Sequence, residues 1–240
     1  FCPAVEQYVE CTHEYWRSNG KFVPNIVLRL ASGGYIGGGL YHSQNIEGAL
    51  ATLPGARIVC PSFADDAAGL LRTAMRSRGF TLYLEPKALY NSVEASSVVP
   101  EEFEVPFGKA RIRREGTDLS MITYGNTTHF CLNVAERLAQ EGWSVEVIDL
   151  RSLIPLDKET IYASVKKTSK ALVVHEDKVF SGFGAEIAAG IGTELFRYLD
   201  APVQRVGSVF TPVGFHPILE KAILPTEDKI YDAARTLLEY

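Results

Sequence analysis

Apolar positions follow two rhythms along this chain, helical spacing and short unbroken runs, and their alternation predicts strands followed by helices. From Ala4 to Ser18 there is no glycine or proline, Val5, Tyr8, Val9, Thr12 and Trp16 fall at helical spacing, and Asn19-Gly20 supplies a helix stop. Asn25 to Leu30 is an apolar run of the kind found in buried strands. It enters a loop with five glycines among positions 33–39, after which Gln44 to Leu53 has helix character and ends at Pro54-Gly55. Arg57 to Pro61 reads as a second strand. Ser62 with Asp65 matches a capping box that opens a helix over 64–78, whose Ala67, Leu70, Leu71 and Ala74 share a face. Phe80 to Leu84 follows Gly79 as a third strand.

From Pro86 to Gly116 no period is sustained, and Pro86, Pro100 and Pro106 punctuate an acidic stretch with Glu101, Glu102 and Glu104. Such a connection reads as a linker with room for short strands. The alternation then resumes, with strands over 119–124, 145–150, 171–175 and 203–206 and helices over 127–141, 158–167, 185–198 and 228–238. Parallel α/β is therefore the expected fold class. Residues 1–105 form an N-terminally incomplete first domain, 106–118 the linker, and 119–240 a second domain complete enough to stand alone. Phe1-Cys2-Pro3 reads as the middle of a longer chain.

Composition narrows the function. The 240 residues, 46% apolar and 22% charged, suffice for one large or two small domains. With 24 Lys and Arg against 29 Asp and Glu, the net charge of −5 argues against nucleic acid as a partner. Apolar stretches are strand-sized, far short of the roughly 20 residues that cross a bilayer, so a soluble protein without a membrane partner is expected. Four cysteines, far apart and without a CxxC pairing, read as buried thiols of a reducing compartment. Residues 1–118 carry 12 basic and 13 acidic side chains and residues 119–240 carry 12 and 16, so a charged partner of the second half should be basic.

Several segments hold candidate chemistry. The loop Gly33–Gly39 lacks the Lys-Ser/Thr of a phosphate-binding P-loop, and a tight loop packed beneath a neighbouring domain or subunit is the favoured reading. His42 closes that loop, where an imidazole could face a cleft and exchange protons near neutral pH, although a lone histidine is more often structural. Gly182 and Gly184 give Gly-x-Gly, but Ile187 stands where the dinucleotide fingerprint needs its third glycine. Close approach of helix and strand is expected there, with the helix N-terminus meeting a carboxylate or anion. His175-Glu176-Asp177, His129 and His216 lack metal-ligand spacing. Arg111, Arg113 and Arg114 read as a solvated strand edge.

Seven segments, taken in order, resemble one family. They are Pro24 to Arg29, the triplet His42-Ser43-Gln44, Leu53 to Pro61, Asp65 to Leu71, Leu84-Glu85-Pro86-Lys87-Ala88-Leu89-Tyr90, Asp149 to Asp157 and Phe183 to Ile187. Together they resemble the beta subunit, or the beta-like half of a fused chain, of the thiamine-diphosphate-dependent decarboxylating component of 2-oxo acid dehydrogenase complexes. These enzymes belong to the transketolase-like superfamily.

The resemblance implies a pyrimidine-binding domain followed by a transketolase-type C-terminal domain. It also implies oxidative decarboxylation of pyruvate or a branched-chain 2-oxo acid, with acyl transfer to lipoamide. Roughly 80–90 residues of the first domain would be absent, a size consistent with part of an α/β domain. Relatives carry there the glutamate that activates the cofactor, so this chain alone is expected to be inactive. His42 matches the family histidine that lies near the cofactor's reactive carbon and donates a proton or stabilises charge during acyl transfer. Diphosphate and magnesium belong to the alpha subunit or alpha-like domain, so no metal ligand is expected here. Relatives hold potassium on backbone carbonyls near an Arg-Asp-x-x-Pro sequence; Arg76-Ser77-Arg78-Gly79-Phe80 stands in its place, which leaves potassium open.

Asp200 matches a position that pairs with a basic residue of the acyltransferase's subunit-binding domain, with a plain surface aspartate at a turn as the alternative. Implied partners are thus the alpha subunit, a second beta-like chain in a homodimer contact, and that acyltransferase domain. The implied location is bacterial cytoplasm or organelle matrix. The alternatives are a transketolase or deoxyxylulose-phosphate synthase relative, and a fragment serving only dimerisation and docking.

Overall fold

In the computed structural model, which describes residues 3–240, two sheets pack against each other through a shared apolar core. The first half contributes α1 (Pro3–Arg17), β1 (Ile26–Ser32), α2 (Gly39–His42), α3 (Glu47–Ala51), β2 (Ala56–Val59), α4 (Ala64–Arg76) and β3 (Phe80–Pro86). The second contributes β4 (Arg111–Arg114), β5 (Leu119–Thr123), α5 (Thr127–Gln140), β6 (Val145–Asp149), β7 (Ser152–Ile154) and α6 (Lys158–Thr168). It closes with β8 (Ala171–Lys178), α7 (Gly184–Glu194), β9 (Gln204–Ser208), α8 (Pro217–Ile223) and α9 (Glu227–Leu238). Cys2 lies outside the described residues, and Cys11, Cys60 and Cys131 are free thiols.

The first sheet runs β1-β3-β2-β7 and the second β4-β6-β5-β8-β9. Both have the expected parallel centre, and each gains one antiparallel edge, β7 on β2 and β4 on β6. The first of these edges ties the halves together. Residues 119–240, expected to stand alone, send β7 into the first sheet, where Ile154 lies opposite Ile58. Around that seam Ile58, Leu82 and Leu84 of the first sheet join Ile122, Ile148, Leu150 and Val173 of the second in one core. A second core, with Leu119, Met121, Val145, Val147 and Leu172, lies under α5 and α9.

Local expectations fail where side chains find tertiary partners. The Asn25–Leu30 run is not buried: β1 is an edge strand with only β3 beside it, and Leu28 is 36% exposed. Of the single helix expected over Gln44–Leu53 only α3 forms, and the short α2 precedes it. At the start of α3 Glu47 accepts from the Ile46 N–H at 3.1 Å and from the Asn45 side chain at 3.3 Å. These bonds stabilise a break in which Ser43 is also buried.

The Ser62/Asp65 capping box does not form. The Ser62 hydroxyl turns inward to Asp149 at 3.0 Å and Thr128 at 2.9 Å, Phe63 takes the N-cap position of α4, and the Asp65 N–H donates to Ser97 Oγ at 2.7 Å. The arginine cluster is likewise not a solvated edge throughout. The Arg113 side chain is 8% exposed and lies between Asp66 and Asp149, because the antiparallel pairing of β4 with β6 turns it into the seam between the halves; Arg111 stays at 45%.

Candidate active-site face

The glycine loop packs beneath the second half of the chain, as the favoured sequence reading has it. Gly33 has φ +84°, a conformation glycine adopts without strain, and a Cβ built there would lie 2.6 Å from Glu176 Oε1. The Gly34 N–H donates to Glu176, and the Gly37 N–H donates to Glu220 Oε1 at 3.3 Å. Carboxylates of β8 and α8, from the other half, thus take amides that this irregular loop leaves unpaired.

His42 is the last residue of α2 and is exposed. Gly38 fits against its backbone: a Cβ there would sit 3.0 Å from both His42 Cβ and its carbonyl oxygen. Exposed apolar side chains flank it in sequence, Tyr41 at 87% and Leu40 at 50%, and Phe215 at 74% packs on Gly39. His42 thus lies on an exposed face, next in sequence to apolar residues that are also exposed.

Behind that face lies a buried polar cluster that sequence reading missed. Glu47 opens α3 and accepts from the Tyr124 hydroxyl at 3.0 Å; Glu176 and Asp177 end β8, with the Gly48 N–H donating to Asp177 at 3.2 Å. Burial pushes Glu47 up to about 7, helped by the charge of Asp177, and pushes Glu176 up to about 7, helped by the charge of Glu47. Burial also raises Asp177, against the pull of nearby backbone N–H groups.

His175 is fully buried with neither ring nitrogen paired, and burial drops it to about 4, with the charge of Arg205 adding to the effect. Close approach explains the glycines of the Gly-x-Gly stretch, since a Cβ at Gly184 would fall 2.2 Å from His175 Cδ2 and one at Gly182 2.0 Å from the Lys178 carbonyl oxygen. The available signal was that the apolar run 171–175 continues into His-Glu-Asp without a turn residue, so these polar groups had to be buried.

The remaining candidates lie elsewhere. Asp200 is exposed after the short helical turn Phe196–Tyr198, with its N–H on the Ser169 carbonyl at 2.9 Å. His129 bonds the Ser62 carbonyl at 2.8 Å, and His216 accepts from the Ile218 N–H at the start of α8. Among the described residues no three His, Cys, Asp or Glu side chains converge as metal ligands. At the turn where potassium is at issue, the Arg78 carbonyl accepts from the Arg57 guanidinium at 2.7 Å, so a cation already occupies that oxygen.

Comparison with known proteins agrees with this architecture. Residues 13–93 match the transketolase pyrimidine binding domain and residues 108–230 the transketolase C-terminal domain. A split-gene transketolase, solved as an inactive beta4 tetramer, superposes with a TM-score of 0.70 at 22% identity over 96% of this chain and 73% of that one, a likeness of fold. The chain is therefore a transketolase-type two-domain protein.

Among curated relatives, 2-oxoisovalerate dehydrogenase subunit beta of Bacillus subtilis is 40% identical over 240 residues, 99% of this chain and 73% of the relative. Pyruvate dehydrogenase E1 component subunit beta of the same organism is 39% identical over 94% of this chain and 69% of its own. The mitochondrial subunit beta-1 of Arabidopsis thaliana is 40% identical over 92% and 61%. The chain belongs to the family of 2-oxo acid dehydrogenase E1 beta subunits.

Proposed function

We propose that the chain is the beta portion of a thiamine-diphosphate-dependent 2-oxo acid dehydrogenase, decarboxylating pyruvate or a branched-chain 2-oxo acid and passing the acyl group to lipoamide. The observation that carries this reading is His42, exposed at the end of a glycine loop, within a chain 40% identical to a 2-oxoisovalerate dehydrogenase beta subunit over nearly its whole length. The exposed imidazole and its apolar surroundings suit one wall of a cofactor site whose other wall comes from an alpha subunit. Thiamine diphosphate, when bound there, supplies the carbon that takes up the 2-oxo acid and the electron sink for loss of carbon dioxide.

The chain's own part is narrower. His42 would present a ring nitrogen to the reacting centre and hold or deliver a proton as the acyl group passes to one sulfur of the oxidised lipoyl disulfide, whose other sulfur takes the two electrons and leaves as a thiol. Apolar neighbours such as Tyr41 and Phe215 exclude water from that face once the partner covers it. Magnesium and diphosphate are assigned to the alpha side. Asp200, exposed on the more acidic half, is assigned to docking a basic acyltransferase domain, and domain boundaries near 105 and 118 complete the proposal.

The test is reconstitution. With an alpha subunit, thiamine diphosphate and magnesium, a beta protein that also carries the family's activating glutamate is expected to release carbon dioxide from a 2-oxo acid and acylate a lipoyl domain, and without alpha to do neither. Thiamine-dependent decarboxylation by this chain alone would contradict the division of labour.

A further inference from the structure

Three consecutive residues at the end of β8 reach the segment that carries His42, each at a different point. Glu176 accepts from the Gly34 N–H, eight residues before His42. Lys178 Nζ donates to Gln44 Oε1 at 2.9 Å, and the Gln44 amide in turn donates to the Leu40 carbonyl of α2 at 2.7 Å. Asp177 accepts from the Gly48 N–H at 3.2 Å on the far side. Glu220, at the Gly37 amide, adds a fourth point from α8.

The fit leaves little slack. A Cβ would lie 2.6 Å from Glu176 at Gly33 and 2.6 Å from Asp177 at Gly48, so both glycines let backbone and carboxylate meet directly. The segment itself has little to hold it otherwise: α2 has four residues and α3 has five, neither with a side-chain N-cap. Helices this short are unstable without tertiary support. Glu176, Asp177, Lys178 and Glu220 are far from His42 in sequence, so they act on it only through these tertiary contacts.

We propose that the β8 terminus, Glu176-Asp177-Lys178, is a clamp from the second half that sets the position of His42, with Glu176 its principal positioning residue. The inference rests on the acyl-transfer role assigned to His42. Glu176 does not touch the reacting atoms. It acts by holding the Gly34 amide, and so requires an acceptor oxygen rather than a charge.

That requirement sets the experiment, in the alpha-beta enzyme with three readouts: carbon dioxide release with an artificial oxidant, acyl transfer to a lipoyl domain, and hydrogen exchange over residues 33–48. Glu176→Ala should lower kcat for acyl transfer by ~10- to 100-fold, the scale of a displacement of about 1 Å in a catalytic group. The artificial-oxidant rate and the KM for the lipoyl domain should stay within about 3-fold, and exchange at Gly34 and Gly37 should accelerate. Glu176→Gln keeps the acceptor oxygen and should retain transfer and slow exchange.

Transfer and exchange unchanged in Glu176→Ala, or Glu176→Gln as impaired as alanine, would overturn the clamp. If the alanine variant does not assemble, Lys178→Met cuts the outer link without opening a buried site. It should slow transfer about 3- to 10-fold, and wild-type transfer would again overturn the proposal. His42→Ala run in parallel separates the two ideas. If it leaves transfer intact, the role of His42 fails; if it abolishes transfer while the clamp variants do not, only the clamp fails.

Discussion

Replacing Asp66 by alanine is expected to destabilise the chain by ~3–5 kcal/mol, the usual cost of removing one partner from a buried ion network. Asp66, on α4 of the first half, is fully buried and accepts from Arg113 and, at 2.8 Å, from Arg151. Arg113 also pairs with Asp149 at 2.7 Å and lies with its guanidinium 4.0 Å over the Phe63 ring. Arg151 donates in addition to the carbonyls of Lys109 and Ala110.

Two buried guanidinium groups therefore converge on one carboxylate at the seam between halves, with the half-exposed Arg111 3.8 Å from it. Without that carboxylate the two remain buried with only Asp149 and two carbonyls to balance them. Arg111→Ala supplies the comparison, because its side chain is 45% exposed and its pairs with Asp65 at 3.0 Å and Asp66 at 3.8 Å are together worth no more than about 1 kcal/mol. Urea unfolding of both variants checks the contrast, and a loss below about 1 kcal/mol for Asp66→Ala would show that the network does not join the halves.

The second large effect is on pH dependence. Glu47 and Glu176, each pushed by burial from 4.5 up to about 7, bind protons in the folded chain that the unfolded chain has already released. Their contribution is full below about 4.5 and is lost as pH rises through about 7. His175 acts in the opposite sense: held at about 4 against an ordinary 6.5, it makes the fold gain stability as pH rises between those values. The two effects oppose each other up to about pH 6.5, and the carboxylates alone remain above it.

The charged and titratable groups facing Glu176 are Glu47 from α3, Lys87 after β3 and Glu220 from α8, with Tyr35 at the loop. Only Lys87 favours its ionised form. Glu176→Gln, a neutral isostere that still accepts from Gly34, should therefore stabilise the chain at pH 8 by on the order of 3 kcal/mol, with the gain vanishing near pH 4.5. Melting curves of both proteins across this range measure it. A difference independent of pH would mean that Glu176 is ionised throughout.

What could be read from the sequence follows from what is local. Strand runs such as 119–124 and 145–150 and the amphipathic helices over 64–78 and 228–238 show their periods directly, because one buried face per element imposes them. The order of motifs was enough to place the family, and His42 stood out through its neighbours Ser43 and Gln44.

What depended on distant pairing was not visible. β7 is only three residues long, and its place in the first sheet is decided by Ile58 and Val59, more than 90 residues earlier. Arg113 looks like its exposed neighbours Arg111 and Arg114 until β4 pairs with β6 and turns it inward. Ser62 matched a helix cap but was taken by Asp149. Glu47 is an unremarkable acid in sequence, and it forms a cluster with Glu176 and Asp177 only when the halves close on the glycine loop. Spacing within one segment cannot reveal a site built from both halves.

The role of His42 is tested most directly by acyl transfer from the assembled enzyme to a lipoyl domain, His42→Ala against wild type, alongside decarboxylation read with an artificial oxidant. Transfer lowered by ~100-fold or more, as expected for loss of a proton-transferring group, with assembly intact, is the predicted result. Unchanged rates in both assays would remove His42 from the site and contradict the account.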